Sequence, residues 1–436
     1  MREMKNSGVA WIGEIPKEWE NCSLKNTVET HFGGCWGEDP KGNANDRLCI
    51  RIADFDFARQ GVKESASTFR NYTDVQIEKC TLKDGDLIVE KSGGGDKTPV
   101  GRVIIYNKKS ADADALFANF SECLRLTDGV ANKYIAYHLK ALYYAFDMHY
   151  YFRQTTGLQN LDMPTYLKAS ICLPPLPEQR RIADYLDTAC GKVDALIANQ
   201  QAQIEKLKTY KQSLITEVVT HGLNPDAPMK DSGVEWIGMI PEGWHVLKNR
   251  VIFKNKSIKG HGNATVLSVY RDWGVVPKDS RDDNWNVTSL DTDSYKYIES
   301  GDLVINKMKA WSGSLAISDY NGIVSPAYYT CAVNYSIVNK RFIHHYLRNR
   351  QIVGVYEMYS AGMRIGQWDL GIDDFLGIEI AIPKSLTEQQ HIADYLDGKC
   401  TKIDALIAIK QQKIEKLTEY KKSLIYEYVT GKKEVT

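Results

Sequence analysis

A glycine-rich segment between two lysines is the first stretch of this chain whose residue types suggest chemistry. The segment 92–98 reads SGGGDKT and directly follows Lys91. Phosphate-binding loops of nucleotide hydrolases are also glycine-rich, but their Gly-Lys-Ser/Thr ending at a fixed spacing is absent here. Two interpretations stay open. The segment is either a plain hairpin turn or a loop whose backbone approaches a DNA phosphate between Lys91 and Lys97.

Other groups of polar residues give weaker signals. The segment 32–37, FGGCWG, superficially resembles a methyl-donor-binding glycine motif, but no Asn-Pro-Pro-aromatic tetrapeptide accompanies it. Glu90 and Lys91 lack the intervening residue of a Glu-x-Lys nuclease set. His344 and His345 lie in a basic predicted helix, which favours a solvated or phosphate-contacting face over a metal site. We therefore predict no catalytic residues and no metal in this chain.

The composition excludes several classes of protein. The 436 residues include 55 Lys+Arg and 55 Asp+Glu, so net charge argues neither for nor against a nucleic-acid partner. The nine cysteines are odd in number and form no Cys-x-x-Cys, which predicts free thiols in a reducing, cytoplasmic setting. No run of about 18 apolar residues and no signal-peptide core occur, so we expect no membrane association.

Two internal repeats organise the elements that must position these residues. EQRRIADYLD at 178–187 returns as EQQHIADYLD at 388–397, an offset of 210 that persists for about forty residues. SGVAWIGEIPKEW at 7–19 returns as SGVEWIGMIPEGW at 232–244, an offset of 225. Between each opener and its long repeat lies a variable block of short β-like and helical segments, with Gly85-Asp86-Leu87 matched by Gly301-Asp302-Leu303. The pattern predicts an α+β fold with two globular α+β domains.

The long repeats have the apolar spacing of amphipathic helices with coiled-coil character. We predict that the two helices pack antiparallel, with circular pseudo-twofold symmetry that brings the N- and C-termini together. Gln200 and Lys410 interrupt equivalent apolar rows near the middle of each helix, so we expect them either to face each other and fix the register or to reach solvent. The predicted ranges are 1–20 for an opener packing near the C-terminus, 21–176 for domain 1, 177–222 for helix 1, 223–235 for a linker, 236–386 for domain 2 and 387–431 for helix 2.

This layout resembles the specificity subunit of type I restriction–modification enzymes. The resemblance is carried by the paired Trp-Ile-Gly-x-Ile-Pro-x-x-Trp openers, the two Glu-Gln-x-x-Ile-Ala-x-Tyr-Leu-Asp helix starts and the Asp-Ala-Leu-Ile that follows each. It extends over nearly the whole chain. Its specificity lies in the repeat layout, since no single motif is diagnostic.

The resemblance implies a non-catalytic recognition subunit of a methyltransferase and restriction complex. Each α+β block would be a target recognition domain that reads one half of a bipartite double-stranded DNA site. The helices would set the spacing between the domains and dock two modification subunits, which methylate adenine at N6. Restriction subunits would add cleavage. The methyl donor, ATP and Mg²⁺ would be bound by partner subunits, so no cofactor is expected in this chain.

Polar and aromatic residues of the variable loops are the candidates for DNA contact, because Arg, Lys, Asn and Gln suit base edges and phosphates. The candidates in domain 1 are Lys91, Ser92, Gly94, Lys97, Arg153, Gln154, Gln159 and Asn160. Those in domain 2 are Lys307, Lys309, Trp311, Ser325, Tyr328, Arg364 and Gln367.

The sequence is also compatible with two alternatives from other classes of protein. One is a non-enzymatic scaffold with two protein-binding domains and dimerising helices, which zero net charge permits. The other is an enzyme with an unrecognised active site. The target sequence is not encoded in any motif of the chain.

Overall fold

A computed structural model describes residues 2–108, 114–154, 157–280, 292–362 and 368–435. The chain forms two compact units. Unit 1 comprises residues 1–201 with 411–436, and unit 2 comprises residues 202–410. Both boundaries fall inside a long helix, so each unit contains the α+β part that precedes one helix together with segments of both helices. The fold is α+β, as predicted.

The core of unit 1 is a four-stranded antiparallel sheet covered by a helix. Its strand order is β11-β9-β13-β4. Strand β9, with sequence LIVE, is buried along its whole length, as its apolar run predicts for a central strand. The strands are β1 (Met4–Asn6), β2 (Glu14–Pro16), β3 (Glu20–Ser23), β4 (Val28–Gly33), β5 (Asp46–Ile50), β6 (Phe55–Asp56), β7 (Gly61–Val62), β8 (Phe69–Asn71), β9 (Leu87–Glu90), β10 (Ser92–Gly93), β11 (Val103–Ile105), β12 (Leu116–Phe117), β13 (Ser121–Leu126), β14 (Phe152–Gln154), β15 (Gln159–Leu161) and β16 (Ser170–Leu173). The helices are α1 (Asp74–Cys80), α2 (Asn132–Ala145), α3 (Met163–Tyr166) and the first part of α4 (Leu176–His221).

Unit 2 contains the same kind of sheet, with strand order β25-β24-β27-β20. The strands are β17 (Met229–Asp231), β18 (Met239–Pro241), β19 (Trp244–Lys248), β20 (Phe253–Lys256), β21 (Leu267–Tyr270), β22 (Gly274–Pro277), β23 (Lys296–Ile298), β24 (Leu303–Asn306), β25 (Leu315–Ile317), β26 (Gly322–Val324), β27 (Tyr328–Val333), β28 (Ser360–Ala361), β29 (Asp369–Leu370) and β30 (Glu379–Pro383). The helices are α5 (Asn249–Ile252), α6 (Lys340–Tyr346), α7 (Arg350–Tyr359), α8 (Ile372–Gly377) and the first part of α9 (Leu386–Val429).

An identical Gly-Asp turn leads into the central strand of each sheet. Gly85 and Gly301 have positive φ values of 87° and 100°, a conformation that glycine adopts without strain. Asp86 Oδ2 accepts a hydrogen bond from the Lys83 amide at 2.7 Å, and Asp302 Oδ2 accepts one from the Glu299 amide at 2.7 Å. The repeated Gly-Asp-Leu sequence therefore marks equivalent positions, as predicted.

In each unit the two long-helix segments pack antiparallel. In unit 1, Asp194 of α4 is paired with Lys421 of α9 at 2.7 Å. In unit 2, Lys211 of α4 is paired with Asp404 of α9 at 2.7 Å. Helices α4 and α9 differ from the predicted ranges 177–222 and 387–431 by at most two residues at either end. The apolar residues at heptad spacing in these helices are buried at Leu186, Val193, Leu214, Leu396, Ile403 and Leu424. Leu207 and Leu417, at the same spacing, are half-buried.

Both openers dock a tryptophan onto the start of the long helix in their own unit. Trp19 and Trp244 are fully buried. The Trp19 indole N–H donates to Glu178 at 3.2 Å, and that of Trp244 donates to Glu388 at 2.9 Å. Each glutamate lies in the first helical turn, where its charge also complements the helix dipole. The openers thus anchor the helix starts.

The N-terminal opener also contacts the C-terminal end of α9 within unit 1. The Tyr426 hydroxyl donates to the Trp11 carbonyl oxygen at 2.9 Å, and the Trp11 and Tyr426 rings lie 6.4 Å apart. Arg2 lies 4.0 Å from Glu434. The two ends of the chain therefore lie side by side in unit 1.

Candidate nucleic-acid interface

The glycine-rich segment of unit 1 pairs with a hairpin about 60 residues further along the chain. Strand β10 pairs antiparallel with β15, which pairs with β14. Ser92 lies opposite Asn160, and Asn160 lies opposite Arg153. The Leu161 amide donates to the Lys91 carbonyl oxygen at 2.8 Å. The structure therefore brings the predicted DNA-contacting loops of domain 1 together in one small sheet.

Exposed polar groups cover this small sheet. Lys97, Arg153, Gln154 and Asn160 are exposed. The Ser92 hydroxyl donates to the Asn160 side-chain oxygen at 2.6 Å. These donors and acceptors are the types that contact phosphates and base edges.

Gln159 lies on the inner side of the same site, and Gly94 is an exposed residue close to it. Gln159 is fully buried, and its Oε1 accepts a hydrogen bond from the Val100 amide at 3.2 Å. Successive strand residues point to opposite faces, so the exposure of Asn160 places Gln159 inside. Gly94 has a φ of 65°, and a Cβ there would lie 2.8 Å from Gln159 Oε1. Gln159, predicted as a DNA contact, therefore supports the loop from its buried side. Gly94 stays an exposed candidate at a position without room for a Cβ.

Lys91 has a buried acidic partner that the sequence did not single out. Its ammonium group donates to Glu122 Oε2 at 2.8 Å, and His31 Nδ1 lies 2.9 Å from Glu122 Oε1. Glu122 is only 4% exposed. A charged residue next to the apolar Cys123 and Leu124 in strand β13 was the available signal, but the local sequence does not show that it faces Lys91.

Phe120 is a second residue that the sequence reasoning missed. Its carbonyl oxygen accepts hydrogen bonds from the amides of Lys91 at 2.8 Å and Ser92 at 3.0 Å. Its side chain is 52% exposed. An exposed aromatic ring beside donor-rich loops offers an apolar surface to a base or to a thymine methyl group.

The site of unit 2 is built around Lys307 in the same way. Lys307 follows the central strand β24, and its carbonyl oxygen accepts a hydrogen bond from the Leu370 amide at 3.1 Å. This bond repeats the one between Leu161 and Lys91. The Lys307 ammonium group lies 3.2 Å from Asp369 Oδ2 of strand β29. A lysine at the end of the central strand, held against a hairpin, is therefore common to both units.

Aromatic residues take a larger part in the second site. The rings of Trp311 and Trp368 meet edge to face at 5.4 Å, and the Trp311 indole N–H donates to the Met308 carbonyl oxygen at 3.1 Å. Met308 and Lys309 are exposed. Trp368 and Met308 were not among the predicted residues. The predicted contacts Arg364 and Gln367 lie outside the described residues.

Ser325 and Tyr328 lie near the same end of the central strands as Lys307. Tyr328 pairs with Asn306, the residue before Lys307, and its amide donates to the Ser325 carbonyl oxygen at 3.0 Å. The Lys296 ammonium group donates to the Tyr328 carbonyl oxygen at 2.5 Å. Burial, with Lys259 and Lys307 nearby, lowers the pKa of Lys296. The amines of Lys296, Lys259 and Lys307 are therefore close together at this end of the strands in unit 2.

The family comparison decides what kind of protein carries these two sites. The sequence model of the family described as Type I restriction modification DNA specificity domain matches residues 16–206 and 244–419. The chain belongs to this family. A specificity subunit is the DNA-recognition component of a type I restriction–modification system, and it associates with the system's other subunits without being catalytic itself.

Individual relatives agree with this assignment. A Methanocaldococcus jannaschii protein described as a putative type I restriction enzyme MjaX specificity subunit is 25% identical over 439 residues, covering 97% of this chain and 95% of the relative. The type I restriction enzyme MjaVIII specificity subunit of the same organism is 28% identical over 298 residues, covering 64% of this chain and 65% of the relative.

A solved structure shares the fold. It is described as the structural basis underlying complex assembly and conformational transition of the type I R-M system. One of its chains superposes with a TM-score of 0.66 at 15% identity, over 95% of this chain and 98% of that chain.

His344 and His345 of this specificity subunit lie where the α+β part of unit 2 packs against α9. His345 Nε2 lies 2.8 Å from Asp397 on α9, which also accepts from Arg341 at 2.7 Å. Burial lowers the pKa of His344 to about 3 and also lowers that of His345. The prediction of a solvated or phosphate-contacting face is wrong for these two residues, because they pack against the chain's own helix and Arg348.

The mid-helix polar residues occupy different environments. Gln200 is buried in unit 1, at 7% exposure. In unit 2, the Lys410 ammonium group donates to the Gln203 side-chain oxygen. Their proposed role in fixing helix register stays a prediction.

Among the described residues, no helix combines the length and apolar character needed to cross a membrane. In the same part of the chain, no three His, Cys, Asp or Glu side chains converge as metal ligands would.

Proposed function

We propose that each unit of this specificity subunit reads one half of a bipartite duplex DNA site. The observation that carries the proposal is the repeated lysine at the end of the central strand. Lys91 and Lys307 both hold a hairpin through the same backbone hydrogen bond, at 2.8 Å and 3.1 Å. The loops around them differ in sequence, which suits two domains that recognise different bases.

The long helices set the spacing between the half-sites. The ion pairs Asp194–Lys421 and Lys211–Asp404 stand at positions related by the 210-residue offset, and each fixes the register of the helix segments in its unit. A helix rises about 1.5 Å per residue, so helix length determines the separation that the subunit measures along DNA.

The helices also dock two modification subunits, which methylate adenine at N6. Exposed apolar side chains at equivalent positions support two like docking surfaces. Their exposed fractions are 36% and 38% for Tyr185 and Tyr395, 47% and 48% for Leu196 and Leu406, and 54% and 55% for Tyr210 and Tyr420. Single exposed apolar residues are ordinary, but matched exposure in both copies supports the proposal of two like contacts with a repeated partner.

Catalysis and cofactors belong to those partners. The methyl donor is bound by the modification subunits, while ATP and Mg²⁺ are used by restriction subunits where these are present. The nine free cysteines fit a reducing compartment, the cytoplasm.

Methylation mapping tests the proposal. The chain is expressed with its modification subunit in a host without other adenine methylation, and N6-methyladenine is located by single-molecule sequencing. The expected result is one asymmetric two-part motif, with a methylated adenine in each part. Methylation without a two-part motif, or at a continuous site, would contradict the proposal.

A further inference from the structure

The lysines at the two candidate sites each have an acidic partner, and the partners come from different elements. Glu122, the partner of Lys91, belongs to strand β13 of the main sheet. Asp369, the partner of Lys307, belongs to strand β29 of the hairpin. The ammonium groups of two equivalent lysines are therefore held by acids from different elements of their units.

Glu122 restrains Lys91 firmly. Its carboxylate is buried between Lys91 at 2.8 Å and His31 at 2.9 Å. A buried carboxylate is costly unless it is paired, so the pair resists separation. The Lys91 side chain nevertheless remains 38% exposed. An ammonium group has three hydrogens, so Lys91 can donate to Glu122 and still offer donors to a ligand.

Asp369 restrains Lys307 from the hairpin. The backbone of Leu370, the next residue, donates to the Lys307 carbonyl oxygen at 3.1 Å, so Asp369 is fixed beside the lysine by its own strand. Its side chain is 47% exposed. An exposed ion pair of this kind adds little to stability, so structural support is a poor account of its placement.

A paired lysine suits base reading better than phosphate binding. Phosphate binding gains affinity from net positive charge through counterion release, and a neighbouring carboxylate cancels that charge. Base reading needs a donor held in a defined direction. Lysine in the major groove donates to O6 and N7 of guanine.

We propose that Glu122 and Asp369 are positioning residues that aim the ammonium groups of Lys91 and Lys307 at a guanine, one in each half-site. The inference rests on the proposed function and adds to it the base that is read and the residues that determine specificity. His31 supports Glu122 in this role from strand β4.

The test measures base preference and affinity separately. The complete complex with modification subunits is prepared with the acid variants Glu122→Gln and Asp369→Asn. It is also prepared with Lys91→Ala and with Lys307→Ala, and these lysine variants show which half-site each unit reads. Methylated motifs are mapped by single-molecule sequencing, and DNA affinity is measured at several salt concentrations. Control variants Asp114→Asn and Asp319→Asn break exposed lysine pairs elsewhere in units 1 and 2, at 2.6 Å and 2.7 Å.

The expected result is selective. Glu122→Gln reduces the preference for guanine about tenfold at one position of the unit 1 half-site and leaves the other half-site unchanged. Asp369→Asn reduces the preference for guanine at one position of the unit 2 half-site and leaves the unit 1 half-site unchanged. The slope of affinity against salt does not fall in either variant, because no phosphate contact is lost. The control variants keep the wild-type motif.

Two results would overturn the inference. One is an unchanged motif in both acid variants while the lysine variants alter it. The other is a uniform loss of affinity without any change in base preference. Since buried Glu122 also affects folding, Asp369→Asn tests the same role independently at an exposed position. A wild-type complex without a two-part motif would instead refute the proposed function before any variant is compared.

Discussion

The ammonium group of Lys421 donates to both carboxylate oxygens of Asp194, each at 2.7 Å. Lys211 and Asp404 repeat this relationship in unit 2, at 2.8 Å and 2.7 Å. The lysine is on α9 in one case and on α4 in the other, as two antiparallel copies of one helix require. The surroundings differ, because Lys421 is buried and also donates to the Ala58 carbonyl oxygen at 3.0 Å, whereas Asp404 is exposed.

This difference predicts unequal effects of one substitution at equivalent positions. Asp194→Asn leaves a buried ammonium group without its carboxylate, so we expect the free energy of unfolding to fall by about 1–3 kcal/mol. Asp404→Asn should cost less than about 1 kcal/mol, since its pair is solvent-screened. Urea unfolding of both variants measures this. Equal losses would show that burial does not decide the strength of the pair.

Stability should decrease in mild acid because of His138. Complete burial lowers the pKa of His138 to about 3 from 6.5, and its Nε2 accepts a hydrogen bond from the Cys172 amide at 3.0 Å. Between these values the unfolded chain binds a proton that the folded chain does not. The free energy of unfolding therefore does not depend on His138 protonation above pH 6.5. It falls by about 1.4 kcal/mol per pH unit as the pH drops from 6.5 toward 3.

The variant His138→Gln isolates this effect, because glutamine can still accept from Cys172. Urea unfolding between about pH 7 and pH 5 should show a shallower loss of stability in the variant than in the wild type. Parallel pH profiles for the two proteins would assign the acid sensitivity to other groups.

Gly94 and Gly95 are neighbours with different expected tolerance. The substitution Gly94→Ala adds a Cβ at a residue with positive φ. That Cβ would lie 2.8 Å from Gln159 Oε1 and 2.9 Å from the Val100 amide nitrogen. We expect a loss of about 1–3 kcal/mol in unfolding free energy and weaker methylation of sites read by unit 1. Gly95→Ala meets no atom within 4 Å and should change stability by less than about 0.5 kcal/mol. Similar effects of the two substitutions on both measurements would argue against a shaped loop.

The exposed leucines of the long helices should each support one modification subunit. Replacing Leu196 by Glu places a charge in an apolar contact, so we expect complexes with one modification subunit where the wild type has two. Leu406→Glu should act alike, and the double variant should bind none. Native mass spectrometry counts the subunits. Gln201→Glu and Gln411→Glu, at exposed equivalent positions, serve as controls. If the double variant still bound two modification subunits, the docking surface would lie elsewhere on the chain.

The structural features that the sequence predicted best are those that belong to its repeated patterns. The long helices and the Gly-Asp turns both occur twice, and each pattern reflects local spacing in the sequence. The glycine-rich segment and the loop residues Arg153 and Asn160 were predicted as separate candidates, because polar residues near glycines mark loops at strand ends. The structure brings them into one small sheet.

Side-chain direction within the sites could not be read in the same way. Gln159 is buried and Asn160 exposed because of strand alternation, which needs the register of β14 and β15. The pairing of Lys91 with Glu122 joins residues 31 positions apart, one directly after β9 and one in the adjacent strand β13. His345 contacts a helix residue 52 positions away, which a basic local sequence does not reveal.

The spacing role of the helices is tested most directly by lengthening them. One heptad is inserted into both α4 and α9 near residues 202 and 412, so that antiparallel pairing is kept, and methylated sites are mapped. Seven residues add about 10 Å, or about three base pairs at roughly 3.4 Å each. We predict unchanged half-sites separated by a gap about three base pairs longer. Altered half-sites with an unaltered gap would contradict the spacing role.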